Sequence, residues 1–125
     1  MELPEKLYEV LKHEGVVSIV SWGNTEPHIT NTWNSYIKIK EGNKLLIPAG
    51  GMHSTEDDVK VNNKVKLTLG SRNVEGFRSY KGTGFLIEGQ AVFLTSGDNF
   101  SFMKELFPWA SRILEITVTS IRQLL

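Results

Sequence analysis

Cysteine is absent from this chain of 125 residues, and its absence excludes a disulfide framework, a thiolate metal site and a cysteine nucleophile. Excess charge is absent too, because Lys and Arg total 14 and Asp and Glu also total 14. Without a positive surplus, no global field draws the chain to nucleic acid or to an anionic membrane. No apolar run reaches the length of a membrane span, about 20 residues, and the first residues lack a hydrophobic signal segment. We therefore expect a cytoplasmic protein with no nucleic acid and no membrane as partner.

Residues for metal or acid-base chemistry are scarce. The three histidines, His13, His28 and His53, are scattered, with no His-x-x-x-His spacing and no dense acidic cluster nearby. No serine lies in a nucleophile-elbow context. We predict no metal site and no catalytic side chain, and we interpret each histidine as a surface or turn residue.

A mainly β fold with short helices is indicated by the apolar pattern. Apolar residues at 40% and charged residues at 22% are typical of a globular protein, and the length suits one domain over residues 1–125. Alternating or β-branched runs predict six or seven strands, at 16–21, 28–31, 36–40, 44–48, 65–69, 85–94 and 114–118. Helices are predicted at 4–12, 54–61 and 97–107, the last capped by Asp98, and a loop at 73–81. Because strands follow strands, the sheet should be largely antiparallel, and closure into a small barrel would remove its edges.

Three apolar residues near the end of the chain, Ile121, Leu124 and Leu125, need a surface to bury against. Docking on the chain's own barrel and burial in a subunit interface are both consistent with this pattern.

The segment from Thr30 to Tyr36, TNTWNSY, combines neutral hydrogen-bonding side chains with two aromatic rings. Asn, Thr and Ser suit the amide and carbonyl edges of a planar polar ligand, and Trp33 and Tyr36 offer flat surfaces on which it can stack. A polar strand end with a half-buried tryptophan is the simpler alternative.

Glycines meet a predicted helix start in the segment from Ile47 to Glu56, IPAGGMHSTE. Gly50 and Gly51 would let a ligand approach the backbone, and helix amides together with hydroxyls at 54 and 55 suit a phosphate. Acids at 56–58 oppose an anion and complement the helix dipole themselves. An ordinary capped helix therefore explains this segment as well.

Two later segments carry weaker signals. Arg72, after LTLGS, could hold a phosphate through its fork of donors, or it could simply be solvated. The glycines of GTGF at 82–85 fit either close approach of a ligand or a twisted strand start.

Taken in order, NTWNSY, IPAGGMHSTE, LTLGSR, GTGFLIEGQA and the C-terminal PWAS resemble the split-barrel flavin-binding superfamily, which includes pyridoxamine-phosphate oxidases and flavin reductases. Within it, the chain is most similar to the small FMN-binding proteins of sulfate-reducing bacteria, from about Tyr8 to Leu125. The resemblance implies a six-stranded antiparallel split β-barrel of Greek-key type with two or three short helices. It also implies a homodimer that binds FMN noncovalently at the subunit interface.

The resemblance further implies which residues hold the cofactor. They are Asn31, Thr32, Trp33, Pro48, Ala49, Gly50, Gly51, Met52, Ser54, Thr55, Gly70, Ser71, Trp109 and Leu125, the last packing against the partner's flavin. One departure concerns the phosphate, because a family member has Lys directly after GGMH where this chain has Ser54. Neutral hydroxyls and amides, with Arg72 or a lysine elsewhere, would then hold the phosphate, and a preference for riboflavin over FMN is the alternative.

Three functions compete at this point. A flavin brings its own redox chemistry, so a site rich in Asn, Thr, Trp and Gly but poor in acids and bases suits a small electron carrier with an unidentified redox protein partner. A nicotinamide-dependent flavin reductase is the alternative, and a barrel that only mediates protein contact is the third. A pyridoxamine-phosphate oxidase is disfavoured because little length remains for a second phosphate-clamping site.

Overall fold

An antiparallel seven-stranded sheet is the frame of the molecule in a computed structural model that describes all residues 1–125. The strands are β1 (Val16–Ser21), β2 (His28–Trp33), β3 (Lys38–Lys40), β4 (Lys44–Ala49), β5 (Lys64–Glu75), β6 (Lys81–Leu94) and β7 (Arg112–Gln123). The helices are α1 (Glu5–Leu11), α2 (His53–Val61) and α3 (Asp98–Leu106). Strand order across the sheet is β2-β1-β5-β6-β7-β4-β3. None of the helices combines the length and the apolar character that crossing a membrane requires.

The mainly β, antiparallel split-barrel class expected from the resemblance is confirmed. The expected closure is wrong, because the sheet stays open with β2 and β3 as its edge strands. The structure has seven strands instead of six, because the three-residue β3 pairs with β4 as a separate hairpin strand. The helix predictions are confirmed to within one residue at each end, which is the ordinary uncertainty of a helix boundary.

The main core lies against the long middle strands β5, β6 and β7. Alternate residues of β5 are buried, and Leu67 stands opposite Ile87 of β6, as expected for a strand that faces the core on one side. Helix α1 adds Leu7 and Val10 to this core from one of its faces. A smaller core fixes α3 against β4 and β7 and thereby positions the segment that enters β7; its members are Leu46, Met103, Ala110 and Ile113.

Two local predictions were wrong. The loop expected at 73–81 is shorter and spans only 76–80, because β5 with buried Val74 continues to Glu75, which pairs with Lys81 at the start of β6. The chain reverses only between these two residues, where Arg78 has the left-handed φ of 58°. Asp98 does not cap α3, since Gly97 occupies the cap position and no side chain bonds the helix end.

A buried asparagine ties the segment after β2 to the rest of the barrel. The Asn34 side chain is fully buried, and its Nδ2 donates to the carbonyls of His13 and Gly70, each at 3.0 Å. Its backbone N–H donates to the carbonyl of Gly15 at 2.9 Å. A Cβ at Gly15 would lie 2.6 Å from the Gly70 oxygen, so close approach requires glycine there. Asn34 thus anchors the neighbouring Trp33 to a rigid junction.

The apolar tail docks its backbone on its own barrel. The N–H of Leu124 donates to the carbonyl of Gly84 at 2.8 Å, and the Leu125 carbonyl accepts from the Thr83 hydroxyl at 2.8 Å. Ile121 packs against the main core. The side chains of Leu124 and Leu125 nevertheless stay 42% and 64% exposed, so the barrel accounts for only part of the tail.

Candidate functional site

A cleft of about 500 Å³ opens where the ends of β2 and β4 meet the segment before β7, a volume in the range of small-molecule sites. We call it the aromatic cleft. Its lining residues are Val16, Thr30, Asn31, Thr32, Trp33, Tyr36, Pro48, Gly50, Gly51, Met52 and Trp109. Eight predicted site residues are therefore brought together: Asn31, Thr32, Trp33, Pro48, Gly50, Gly51, Met52 and Trp109. Tyr36 is the only lining side chain that can titrate, so the cleft is chemically neutral.

Aromatic rings form two walls of the cleft. Trp33 is 44% exposed and Trp109 54% exposed, which leaves both rings accessible. Tyr36 lies with its ring centroid 5.7 Å from that of Trp109 and 5.2 Å from that of Phe107, within the range of favourable aromatic contacts. The cluster holds Trp109 in place although its outer face is free.

The two glycines of the GGMH segment have different surroundings. A Cβ at Gly50 would lie 3.4 Å from the Trp109 ring, whereas a Cβ at Gly51 would meet no atom within 4 Å. The backbone at Gly51 therefore borders open space, and a ligand can approach it without a side chain intervening.

Arg112, at the start of β7, holds this glycine segment in place through hydrogen bonds to its carbonyls. Its guanidinium donates to the carbonyl of Gly51 at 2.5 Å, to that of Gly50 at 3.3 Å and to Glu56 of α2 at 3.0 Å. Only 9% of the residue is exposed. A planar fork with five donors can satisfy all three acceptors at once. Sequence reasoning missed Arg112, because an arginine entering a strand carries no local sign of distant acceptors.

A second cavity of about 260 Å³ adjoins the aromatic cleft, and we call it the α2 cavity. It is lined by His28, Ile29, Thr30, Met52, His53, Ser54 and Thr55. The two spaces share Thr30 and Met52 as lining residues, so they are adjacent. The predicted residues Ser54 and Thr55 belong here, at the amino end of α2. Thr55 lines this cavity although only 2% of the residue is exposed.

The buried carboxylate of Asp58 forms a hydrogen bond with His28, one of the residues that line the α2 cavity. Asp58 Oδ2 lies 2.8 Å from the Ser21 hydroxyl, which donates to it, and 2.7 Å from Nδ1 of His28. The hydrogen bond from His28, helped by that from Ser21, lowers the pKa of Asp58 below its ordinary value. The stabilisation from this carboxylate is therefore present above the unfolded-state pKa, about 3.9, and is lost as the pH falls through the lower folded-state pKa.

Of the three acidic residues at the start of α2, two are paired within the protein and therefore repel an anion less than free carboxylates would. Glu56 is paired with Arg112 at 3.0 Å, and Asp58 is bonded to Ser21 and His28. Asp57 alone is exposed and free of such contacts. The capping pattern read from the sequence is also absent, since no side chain caps α2 and Met52 occupies the cap position with a left-handed φ of 63°.

Four predicted residues lie outside both cavities. The side chain of Ala49 is fully buried in the interior. Gly70, Ser71 and Leu125 line a third cavity of about 790 Å³, together with the cationic side chains of Arg72, Arg78 and Lys81. Gly70 also has a structural explanation, because a Cβ there would lie 2.6 Å from the Thr83 carbonyl oxygen of β6. Within one chain these residues do not reach the aromatic cleft.

The antiparallel sheet and its short helices define a protein of the split-barrel class. The chain belongs to the pyridoxamine 5′-phosphate oxidase family, whose sequence profile matches residues 3–124.

Individual relatives agree with this assignment. An "FMN-binding protein" of Nitratidesulfovibrio vulgaris (strain Miyazaki F) is 50% identical over 123 residues, which are 98% of this chain and 99% of the relative. Among solved structures, HupZ of Group A Streptococcus superposes with a TM-score of 0.79 at 12% identity, covering 98% of this chain and 94% of that one. An FMN-binding protein of Syntrophomonas wolfei superposes with a TM-score of 0.73 at 14% identity, covering 97% and 85%. At such low identity the two structures are evidence of the shared fold alone.

Proposed function

We propose that this protein binds FMN noncovalently in the aromatic cleft and the α2 cavity and acts as a small electron carrier. The observation that carries the proposal is the convergence of Asn31, Trp33, Gly51 and Trp109 on one cleft. When bound, FMN supplies the electron-transfer chemistry. The relative at 50% identity over nearly the whole chain is named for FMN binding, which supports the same cofactor here.

The residues present fit the two halves of that cofactor. A planar ring with amide and carbonyl edges suits the flat faces of Trp33 and Trp109 and the neutral side chains at the end of β2. A phosphate suits the α2 cavity, whose lining includes the hydroxyl-bearing residues Ser54 and Thr55 at the amino end of α2. The open backbone at Gly51 lies between these regions.

A carrier fits the chemistry of the cleft better than an enzyme does. Except for Tyr36, no lining side chain can donate or accept a proton, so the protein's part is to bind, orient and enclose the cofactor. A nicotinamide-dependent flavin reductase is the second candidate, supported by the cationic third cavity.

The visible absorption spectrum of the purified protein, with identification of the released chromophore, tests the cofactor. A yellow protein that releases FMN is expected, and a colourless protein that fails to take up added FMN would contradict the proposal. Anaerobic mixing with NADH or NADPH then separates the two candidates: a reductase bleaches, whereas a carrier keeps its colour.

We expect the protein to form a homodimer that holds one FMN per subunit. Several apolar side chains next to the cleft and the tail are exposed, among them Ile29 at 70%, Val16 at 52% and Leu125 at 64%, and contiguous exposed apolar surface marks interaction sites. The residues that miss the cleft within one chain, Gly70, Ser71 and Leu125, would complete it from the partner subunit. Binding would then strengthen dimerisation. Light scattering that finds a flavin-saturated monomer at micromolar concentration would refute this arrangement.

Replacing Trp33 or Trp109 by Phe is expected to brighten the fluorescence of bound FMN while leaving its affinity largely unchanged. A tryptophan against the ring is an efficient electron donor and quenches emission, whereas phenylalanine keeps the stacking surface. Trp22, which lies outside both cavities, provides the matched control as Trp22→Phe. If emission stays at the wild-type level in both cleft variants, neither tryptophan ring lies against the flavin.

A further inference from the structure

Positive charge is concentrated around the third cavity, at the end of the β5–β6 hairpin. Arg72, Arg78 and Lys81 line this cavity. Lys6 of α1 reaches the same end of the hairpin, where its Nζ donates to the backbone carbonyl of Glu75. We call these four cations, Lys6, Arg72, Arg78 and Lys81, the basic face. Glu75 is the only acidic residue on this end of the hairpin, although the whole chain has no net charge.

The three cations that line the cavity have no acidic partner within the protein. All three are exposed, and the ion pairs of the chain involve other residues. An adjoining cavity shares Arg72 and Lys81 and contains one carboxylate, that of Glu14. Glu14 is already bonded, since it accepts from the Ser35 hydroxyl at 2.6 Å and from the Ser35 N–H at 3.1 Å. Cations without partners attract an anionic surface across about 8 Å at physiological ionic strength.

Two exposed aromatic side chains lie among these cations, with Phe77 51% exposed and Tyr80 70% exposed. Hydrogen bonds close the turn that carries them: the N–H of Gly76 donates to the Tyr80 carbonyl at 2.7 Å, and the N–H of Tyr80 donates to the Phe77 carbonyl at 3.1 Å. Arg78 and Ser79 have left-handed φ values of 58° and 63°, which residues other than glycine rarely adopt. A turn held in this way needs little further ordering when it binds a partner.

We propose that the basic face, together with Phe77 and Tyr80, is the docking site for an acidic redox protein. The inference rests on the proposed FMN function and names the chemistry of the carrier's partner. Aromatic residues and arginine are enriched at protein interfaces, and a cluster of cations suits an acidic surface. In the proposed homodimer, Gly70, Ser71 and Leu125 of the same cavity would reach the flavin of the partner subunit, so a protein docked here would lie near that flavin.

Two other occupants fit this surface less well. A small ligand is usually enclosed over most of its area, whereas Phe77, Arg78 and Tyr80 are all exposed. A second copy of this chain has equal numbers of acidic and basic residues, so it offers no surplus of negative charge to the basic face. A redox protein also completes the chemistry of a carrier, because the electron that one cofactor gives up is taken up by the other.

The deciding experiment titrates the isotope-labelled, FMN-loaded protein with an oxidised plant-type ferredoxin, a small and strongly acidic redox protein, and follows the backbone amides by NMR. We expect saturable shifts concentrated in residues 72–81. Affinity should fall about tenfold as the ionic strength rises from about 0.01 M to about 0.15 M, because the screening length shortens from about 30 Å to about 8 Å. A strongly basic cytochrome c should cause no shifts in this segment.

Three variants test the charges and the aromatic contact separately. Arg78→Glu should weaken ferredoxin binding about tenfold. Lys60→Glu makes the same change of charge at an exposed position of α2 outside the basic face, so it is the matched control and should bind like the wild type. Phe77→Ser should weaken binding but keep its salt dependence, because it removes contact area and no charge. All three positions are exposed, and the amide spectrum of each free variant checks that it folds.

The outcomes separate this inference from the function on which it rests. A yellow protein whose residues 72–81 do not respond to ferredoxin would overturn the docking site and leave the FMN function standing. Equal weakening by Arg78→Glu and Lys60→Glu would show an effect of net charge only and would overturn it too. Shifts in this segment with NADPH but not with ferredoxin would assign the surface to a nucleotide, and a monomeric Arg78→Glu in light scattering would assign it to a second copy. A wild-type protein that takes up no FMN would overturn both proposals.

Discussion

Replacing Thr55 by Val is expected to weaken FMN binding about ten- to a hundredfold while hardly changing riboflavin affinity. A hydrogen bond to a charged group contributes about 1.5–3 kcal/mol, which corresponds to that change in the dissociation constant. Valine has the shape of threonine without the hydroxyl, so the packing of this buried residue is kept. Isothermal titration with both ligands measures the difference directly.

Two further variants control for this result. Thr55→Ser keeps the hydroxyl and should stay close to the wild type. Ser54→Lys adds a flexible point charge beside the same cavity and should tighten FMN binding and make it more sensitive to salt, because exposed charges are screened over about 8 Å at physiological ionic strength. Equal losses of FMN and riboflavin affinity in Thr55→Val would mean that the segment is only the start of a helix.

Replacing Arg112 by Met should have the second large effect, on both stability and binding. The variant leaves the carbonyls of Gly50 and Gly51 without their donors and Glu56 without its cation. Gly50 and Gly51 are exposed, so water can satisfy part of what is lost; at about 0.5–1.5 kcal/mol for each hydrogen bond, we expect the free energy of unfolding to fall by about 1–3 kcal/mol. Because the glycine segment loses its support, FMN and riboflavin should both bind more weakly, unlike the result for Thr55.

Arg112→Lys separates charge from geometry. Lysine keeps the positive charge beside Glu56 but cannot present the planar fork that reaches two carbonyls as well. Chemical denaturation should place Arg112→Lys between the wild type and Arg112→Met. Wild-type stability and flavin affinity in Arg112→Met would show that the glycine segment holds its shape unaided.

Local patterns predicted most of the elements because the forces that form them are local. The alternation of Val65, Leu67 and Leu69 reflects a strand with one buried face, and the structure has that strand. The continuation of β5 to Glu75 was missed because its only buried residue there is Val74, surrounded by polar residues typical of a loop. Pairing with β6 decided the conformation of that segment, and pairing partners are distant in sequence.

The sequence predicted which types of residue line the candidate site, but it did not predict which residues hold them in place. Aromatic, amide and glycine residues in NTWNSY and GGMH indicated a flat polar ligand, and the structure brings Trp33, Gly50 and Trp109 to one cleft. The residues that hold this cleft act across long separations, as Arg112 does on Gly51 and Asp58 does on His28. Such contacts leave no periodic trace in the chain, so sequence reasoning interpreted His28 as a surface residue.

The buried junction at Asn34 implies that almost no other side chain is tolerated at position 34. Aspartate has the same shape, but it would set a carboxylate oxygen against the carbonyls of His13 and Gly70 where an amide now donates. Glutamine is one methylene too long for a fully buried site, and an apolar side chain would leave both carbonyls unpaired. In a library that varies every position, codon 34 should therefore tolerate fewer alternatives than the exposed residues that line the cleft beside it.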